Sequence, residues 1–335
     1  MNQANVPTID LQKAGSDASQ LNLLDLACRD HGFFLLKNHG MQKEIDDMWQ
    51  MSKWFFDQPR EEKLKIIRTE TIPLGYYDRE LTKQKRDLKE VFDFMYPRLN
   101  GEDLNQWPEN NEFRATMEIF FSKASEVAEE TLQLIFLNLK SDNSQLPNGE
   151  GSTSNARLNF YPVNDPIEES NRDKITNLGD MALHHHTDPG ILTLLLQDMT
   201  GGLQTKSKEF GWIDIKPEAD TIVVNLGDAM QVWTNDEYVA AIHRVTKRTR
   251  KARYSTPYFY NPKRDAVIQP LEQILDKDPK YIPFTWKEYI QGRVDDNYTD
   301  LGEEDIQISK FRAWSSSIVA WFHQARSEKA LKSSS

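Results

Sequence analysis

Leu183-His-His-His-Thr-Asp188, running directly into the apolar stretch from Ile191 to Leu196, is the part of the sequence from which the rest is best read. In an extended strand alternate side chains share a face, so His186 and Asp188 converge while His185 points the other way. An imidazole beside a carboxylate makes two thirds of a facial triad, the metal site that leaves coordination positions open for oxygen chemistry. His184 shares the face of His186 and competes for the role; only His186 stands two residues before the aspartate, and that spacing selects it. The third donor has to come from elsewhere, and His243, in Ile242-His-Arg-Val245 on a later strand, is the candidate. On spacing alone, a surface histidine patch or a stray zinc site is an equal alternative.

Outward from that stretch, the second half of the chain reads as strands at 155–161, 190–196, 203–205, 211–215, 221–225, 241–246 and 253–260, with turn signals such as Thr200-Gly-Gly202 between them. Short strands at such spacing predict a sandwich or barrel. Two of them carry polar residues in alternation. Arg253-Tyr-Ser255 sets a guanidinium fork beside a hydroxyl, a bidentate match for a carboxylate, with a structural salt bridge as the plainer reading. Arg157, Asn159 and Tyr161 form a polar face opposite Leu158 and Phe160, which in a barrel means water, ligand or partner and at a sheet edge means only solvent. Phe160, Met230, Trp233 and Phe259, with Trp321 and Phe322 near the C-terminus, are the candidates for substrate contact, although aromatics at regular spacing more often pack inward.

The first half reads as mixed α/β. A strand at 6–10, a helix at 20–29, a strand at 32–37 and a helix at 41–56 are followed by a short helix opened by Pro59 and a strand at 88–96. The longest helical pattern runs from Asn111 to Lys140 on one apolar stripe. A polar stretch from Ser141 to Ser154 then reads as a linker. Helix returns around Tyr289 and from Ile306 to Lys332. The expected division is an N-terminal region over 1–110, the long helix and linker over 111–154, a β core over 155–262 and a helical cover over 263–335.

Composition narrows the function classes. The 335 residues carry a formal net charge of −11, which argues against nucleic-acid or anionic-membrane partners because both need a cationic surface. The basic run from His243 to Arg253 reads as a solvated turn rather than a phosphate strip. Apolar runs fall far short of the roughly 20 residues of a membrane helix. The first ten residues lack a basic region and an apolar core, so no secretory signal is expected. A single cysteine, Cys28, excludes an intrachain disulfide and a cysteine-built zinc site, in keeping with a cytoplasmic protein.

Taken together these motifs resemble the iron(II)/2-oxoglutarate-dependent dioxygenase superfamily, in its isopenicillin N synthase-like branch. Val6-Pro-Thr-Ile-Asp10, Gly32-Phe-Phe-Leu-Leu-Lys-Asn-His-Gly40, Pro73-Leu-Gly-Tyr76, Lys89-Glu-Val-Phe92 and Asn159-Phe-Tyr-Pro162 follow in the family's order. His186-Thr-Asp-Pro-Gly-Ile-Leu-Thr-Leu-Leu-Leu196, Asn225-Leu-Gly-Asp228, His243-Arg-Val245 and Arg253-Tyr-Ser255 complete it. The resemblance implies a mixed α+β chain dominated by a β jelly roll, a double-stranded β-helix with an N-terminal α/β region and flanking helices. It implies iron(II) on His186, Asp188 and His243, and 2-oxoglutarate on Arg253 and Ser255 with Tyr161 assisting and Asn159 near the metal end. O₂ is the other co-substrate and ascorbate a supporting reductant. The reaction implied is oxidation of an unactivated C–H bond of a small metabolite, by hydroxylation, desaturation or ring closure, with release of succinate and CO₂ by a monomer. The aspartate at 188 stands where related halogenases have glycine or alanine, which speaks against chlorination. The acidic and amide-rich loop from Val163 to Gly179 flanks the site and sets the substrate apart from the familiar plant cases. A 2-oxoglutarate-independent oxidase, with Arg253 on the substrate's own carboxylate, is the nearest alternative; a non-catalytic binding module on the same scaffold is the other.

Overall fold

Asp17 and Asn110 open the helices at 18–30 and 111–138 in the way short polar side chains do, Asp17 accepting the backbone N–H of Ser19 and Asn110 those of Glu112 and Phe113, which the first turn leaves orphaned. The fold is that of a computed structural model, described for residues 6–69, 71–82, 85–97, 101–139, 147–172, 177–179, 181–207, 210–247, 250–272, 278–294 and 307–313. The N-terminal part holds β1 (Thr8–Asp10), α1 (Leu11–Ala14), α2 (Ala18–Asp30), β2 (Phe33–Lys37), α3 (Gln42–Phe56) and α4 (Arg60–Leu64). It continues with β3 (Gly75–Tyr77), the small hairpin β4 (Leu81–Thr82) and β5 (Lys85–Arg86), and β6 (Glu90–Met95). Then come the long α5 (Asn111–Asn138), β7 (Asn155–Tyr161), α6 (Glu169–Arg172), β8 (Leu183–His186), β9 (Leu192–Gln197), β10 (Leu203–Ser207) and β11 (Gly211–Asp214). The last group is β12 (Thr221–Leu226), α7 (Asp228–Trp233), β13 (His243–Val245), β14 (Arg253–Tyr260), β15 (Val267–Ile268), β16 (Phe284–Thr285), α8 (Trp286–Val294) and a 3₁₀ turn at Ile308–Phe311.

Two sheets organise these elements. The larger has eight strands in the order β1-β2-β12-β9-β14-β7-β6-β3, and the smaller has four in the order β11-β10-β13-β8. Strands from the first hundred residues therefore complete both edges of a sheet whose centre comes from residues 155–260. Strand alternation sorts the large sheet's side chains. Leu158, Leu194, Leu196, Val224 and Tyr258 are buried in one apolar cluster with Phe120, Phe121 and Ala124 of α5, and the rings of Phe121 and Tyr258 meet edge to face at 5.0 Å. Full burial of each such side chain contributes roughly 1.5–3 kcal/mol.

The opposite face looks toward the small sheet. Part of that space is filled by Phe33, Leu35, Leu195, Leu203, Val223 and Val245, and part is a cavity of about 240 Å³. The structure is thus mixed α and β with a large sheet and covering helices. Among the described residues no helix is long and apolar enough to cross a membrane.

Three sequence expectations change. Residues 228–233 form a helix that the sequence reading lacked. The expected linker is docked at its far end: Thr153 Oγ1 donates to Pro262 O at 2.7 Å and Ser154 is fully buried, while residues 140–146 lie outside the described residues. Of the helix expected over 306–332, residues 307–313 are described and contain only the 3₁₀ turn; Trp321 and Phe322 fall outside.

Candidate metal centre and its cavity

The small sheet builds the centre. β8 and β13 run antiparallel with His186 directly opposite His243, so their rings lie 4.3 Å apart between centroids. Asp188 is reached differently from the sequence expectation. β8 ends at His186, so no strand carries the aspartate, and its backbone carbonyl instead accepts from Asp228 N at 2.8 Å. That close approach needs Gly227, where any Cβ would sit 2.2 Å from Gly190 O and 2.9 Å from Asp188 O. The result brings Asp188 Oδ1 to 3.6 Å from His186 Nε2 and 3.7 Å from His243 Nε2. The three candidate donor atoms lie within 4.8 Å of one another.

Each donor is aimed by what its remaining polar atom does. His186 Nδ1 lies 2.9 Å from His184 O, and His243 Nδ1 lies 3.1 Å from Ala241 O. A carbonyl only accepts, so both Nδ1 atoms carry the proton and both Nε2 lone pairs face the common point. Asp188 Oδ2 accepts from Thr193 Oγ1 at 2.5 Å and from Asn225 Nδ2 at 2.8 Å, which leaves Oδ1 for the same point. Burial, with His186 beside it, pulls His243 down to about 4, so its imidazole is neutral at physiological pH. Burial works to raise Asp188, but the neighbouring His243 and His186 and the Asn225 amide outweigh it and hold the carboxyl well below its ordinary range. Two imidazoles and one ionised carboxylate on one side of a cavity suit a non-haem iron(II) ion with its other face open.

The other two histidines of the run stay out of the cluster. His184 turns toward Asp87, with Nδ1 3.4 Å from Oδ1, and His185 lies on the outer face near the Trp212 ring.

Strand parity supplies the rest of the cavity. β7 contributes Arg157, Asn159 and Tyr161, and β14 contributes Arg253, Ser255 and Phe259. Arg253 and Tyr161 are cross-strand partners, as are Ser255 and Asn159, so the four residues expected for 2-oxoglutarate come together on one wall. Arg253 is 1% exposed, donates from Nη1 to Ser255 Oγ at 2.9 Å and lies 4.9 Å over the Tyr161 ring. A buried fork beside a hydroxyl is the geometry that receives a carboxylate.

Arg157, on the same wall, is already engaged. Its Nε and Nη2 donate to Asp93 at 2.7 and 3.0 Å, and its Nη1 donates to Glu80 at 2.9 Å. Glu80 also pairs with Lys89 and Arg68, Asp93 with Arg68, and Lys89 with Asp87. This cluster of distant sequence positions was not anticipated. Nor were Thr193 and Asn225, which hold Asp188, or Ile290 and Arg293, which bring α8 into the cavity wall. The available signals were Thr193, a lone hydroxyl within an apolar strand, and Asn225, which opens the motif Asn225-Leu-Gly-Asp228.

Three expected substrate contacts change place. Phe160 lies on the opposite face of β7 and stacks on Phe56 with centroids 5.4 Å apart. Met230 and Trp233 are buried in α7 within the main core, Trp233 beside Phe136. Phe259 does line the cavity.

Comparison with known proteins agrees with this architecture. Residues 6–110 match the family model described as non-haem dioxygenase in morphine synthesis N-terminal, and residues 152–262 match the 2OG-Fe(II) oxygenase superfamily. The chain is 33% identical over 295 residues to 1-aminocyclopropane-1-carboxylate oxidase 3 of Arabidopsis thaliana, covering 85% of this chain and 87% of that one. Its fold is similar to that of a full-length Neurospora crassa protein solved in complex with alpha-KG, with a TM-score of 0.75, 27% identity and coverage of 88% and 98%. It is also similar to JOX2 in complex with 2OG, Fe and JA, with a TM-score of 0.77, 26% identity and coverage of 93% and 90%. The sequence order of motifs, the fold and the His-Asp-His cluster thus lead to one assignment: the chain belongs to the iron(II)/2-oxoglutarate oxygenase superfamily and is an oxidoreductase.

Proposed function

We propose that His186, Asp188 and His243 hold the iron, that Arg253 and Ser255 receive the distal carboxylate of 2-oxoglutarate, and that the enzyme oxidises an unactivated C–H bond of a small metabolite. The observation that carries this reading is the convergence of three separately aimed donor atoms within 4.8 Å on the wall of the cavity that also contains the Arg253–Ser255 pair. Iron(II) bound with 2-oxoglutarate and O₂ supplies the oxidation, with release of succinate and CO₂.

The chain's own residues bind and orient. The Nδ1 contacts of His186 and His243 keep both imidazoles in one tautomer, and Thr193 with Asn225 restricts Asp188 to one coordinating oxygen. Arg253 fixes the far end of the 2-oxo acid, with Ser255 as a second polar contact and Tyr161 bounding the guanidinium. Asn159, opposite Ser255 across the strands, stands toward the chelating end. Phe259 and Ile290 contribute apolar wall for the substrate and keep water from the reacting carbon.

We read the two facing sheets as a double-stranded β-helix with residues 155–262 as its core. We read the working unit as a monomer. An anaerobic titration with iron(II) and then 2-oxoglutarate is expected to produce a visible charge-transfer band, and substrate turnover is expected to release succinate in equal amount. Product formed without succinate would remove the 2-oxoglutarate assignment, and absence of the band would remove the metal assignment with it.

A further inference from the structure

The loop that carries Asp188 has no strand to hold it. The last register pair of β8 with β13 before the loop joins His186 to His243, and Thr187 and Asp188 follow after the ladder has stopped. Thr187 is instead gripped from two sides. Its carbonyl accepts from Arg293 Nη2 at 2.6 Å, and its hydroxyl donates to Asp228 Oδ2 at 3.2 Å. The same Asp228 oxygen accepts from Tyr289 Oη at 2.6 Å, while the Asp228 amide holds the Asp188 carbonyl. Tyr289 and Arg293 stand four residues apart on α8, so both reach inward from one face of a single helix. Asp228 and Tyr289 are each 1% exposed and Arg293 is 9% exposed, so these contacts are made out of water, where a charge-assisted bond holds geometry well.

We propose that Arg293 and Tyr289 are positioning residues for the metal centre: α8 sets the separation of the His186 and Asp188 donors by clamping the residue between them. The inference rests on the reading that these two residues are iron ligands. A shift of the Thr187 backbone moves both donors at once, because Thr187 is covalently joined to each side of the pair. Arg293 and its helical neighbour Ile290 also line the cavity, so the element that sets ligand spacing is the one a substrate touches. Substrate contact with α8 is therefore transmitted to the metal-binding loop through one guanidinium and one phenol.

Cobalt(II), added to the metal-free full chain, reports this without turnover, through affinity and through the intensity of its visible d–d bands. Arg293→Met is expected to weaken cobalt binding by about 10–100-fold, the usual effect of losing an outer-shell partner, and to alter the band pattern. Tyr289→Phe, which removes one oxygen and keeps the packing, is expected to act in the same direction and less strongly. Arg293→Lys, which retains a donor, is expected to recover part of the affinity. Because the two side chains act on one loop, the double variant is expected to lose less than the sum of the single losses. Melting of the metal-free variants identifies any that fail to fold, and Tyr289→Phe is the variant that carries the test if Arg293→Met is among them. Wild-type affinity and spectrum in a folded Arg293→Met or Tyr289→Phe chain overturns the inference and leaves the ligand assignment standing. A wild-type chain that takes up no cobalt, or an Asp188→Asn chain that binds it normally, overturns the ligand assignment and the inference together.

Discussion

Two polar clusters line the same cavity, and they differ in whether their charges close on themselves. On the small sheet, His186, His243 and Asp188 bring two ring nitrogens and one carboxylate oxygen to a common point. On the large sheet, Arg68, Lys89 and Arg157 meet Asp87, Glu80 and Asp93, three cations against three carboxylates. Burial works against the charge on Glu80, yet Arg157, Lys89 and Arg68 hold it ionised well below its ordinary range. Both clusters are buried and both are polar, so neither property separates a site from a scaffold. Charge closure does. A balanced network has its partners already, whereas converging lone pairs call for a cation from outside.

The largest effect is expected on the open cluster. His243→Ala or Asp188→Asn should reduce succinate release to background, while the melting temperature of the metal-free chain stays near that of the wild type. Unaltered turnover in either variant would end the ligand assignment. The closed cluster should respond the other way. Glu80→Gln leaves buried cations short of a partner and is expected to cost about 3–5 kcal/mol in urea unfolding, with little change in cobalt affinity where the protein is still folded. If that variant unfolds like the wild type, the network does not hold the fold.

Arg253 tests the boundary between the two types. It lies across the strands from Tyr161 and beside the hydroxyl to which it donates, Ser255, on the large-sheet wall of the cavity that both clusters line. Arg253→Met is expected to raise the KM for 2-oxoglutarate by about 10–100-fold, from hydrogen bonds to a charged group of roughly 1.5–3 kcal/mol, with iron affinity retained. An unchanged KM would mean that the co-substrate is anchored elsewhere.

The smallest effect belongs to a third, half-buried group. Asp236 accepts from Arg312, Tyr281 and Gln231, and these contacts overcome the opposing effect of burial to bring its carboxyl down to about 2 from an ordinary 3.8. A carboxyl lowered on folding stabilises fully above its unfolded value and loses that contribution as pH falls toward the folded one. The difference in melting temperature between wild type and Asp236→Asn is therefore expected to be greatest near neutral pH and to close between about 4 and 2. A difference that persists below that window would mean that the carboxylate's charge is not its source.

What the sequence disclosed follows the same division. His186, Asp188, Arg253 and Ser255 were legible because alternation and short spacing are local properties, and His243 because its strand followed in the order of a known family. Phe160 was expected in the cavity against the alternation of its own strand, since Asn159 and Tyr161 on either side of it face inward while Phe160 stacks on Phe56. The Glu80–Arg157–Asp93 cluster was not legible, because Glu80 lies in the connection between β3 and β4 and only the register of β6 with β7 brings Asp93 opposite Arg157. Arg293 was hidden for a related reason: a helix after a β core reads as a cover, and nothing local marks which turn of it reaches a metal loop. Asp188 was found by a rule that applied only in part, for the strand ended two residues too soon and tertiary contacts completed the geometry.

The large sheet takes its edges from the beginning of the chain and its centre from the middle. Lys37 pairs with Thr221, and the N-terminal strand β6 pairs with β7 across the whole length of α5. During synthesis β1 and β2 emerge long before β12 exists to receive them, and such distant pairings fold slowly. The isolated segment 152–262 would expose the backbone hydrogen bonds of β7 and β12 as two bare sheet edges, which recruit other chains. Expression of that segment alone should therefore give aggregates, and supplying residues 1–140 in trans should be the more effective remedy than adding metal.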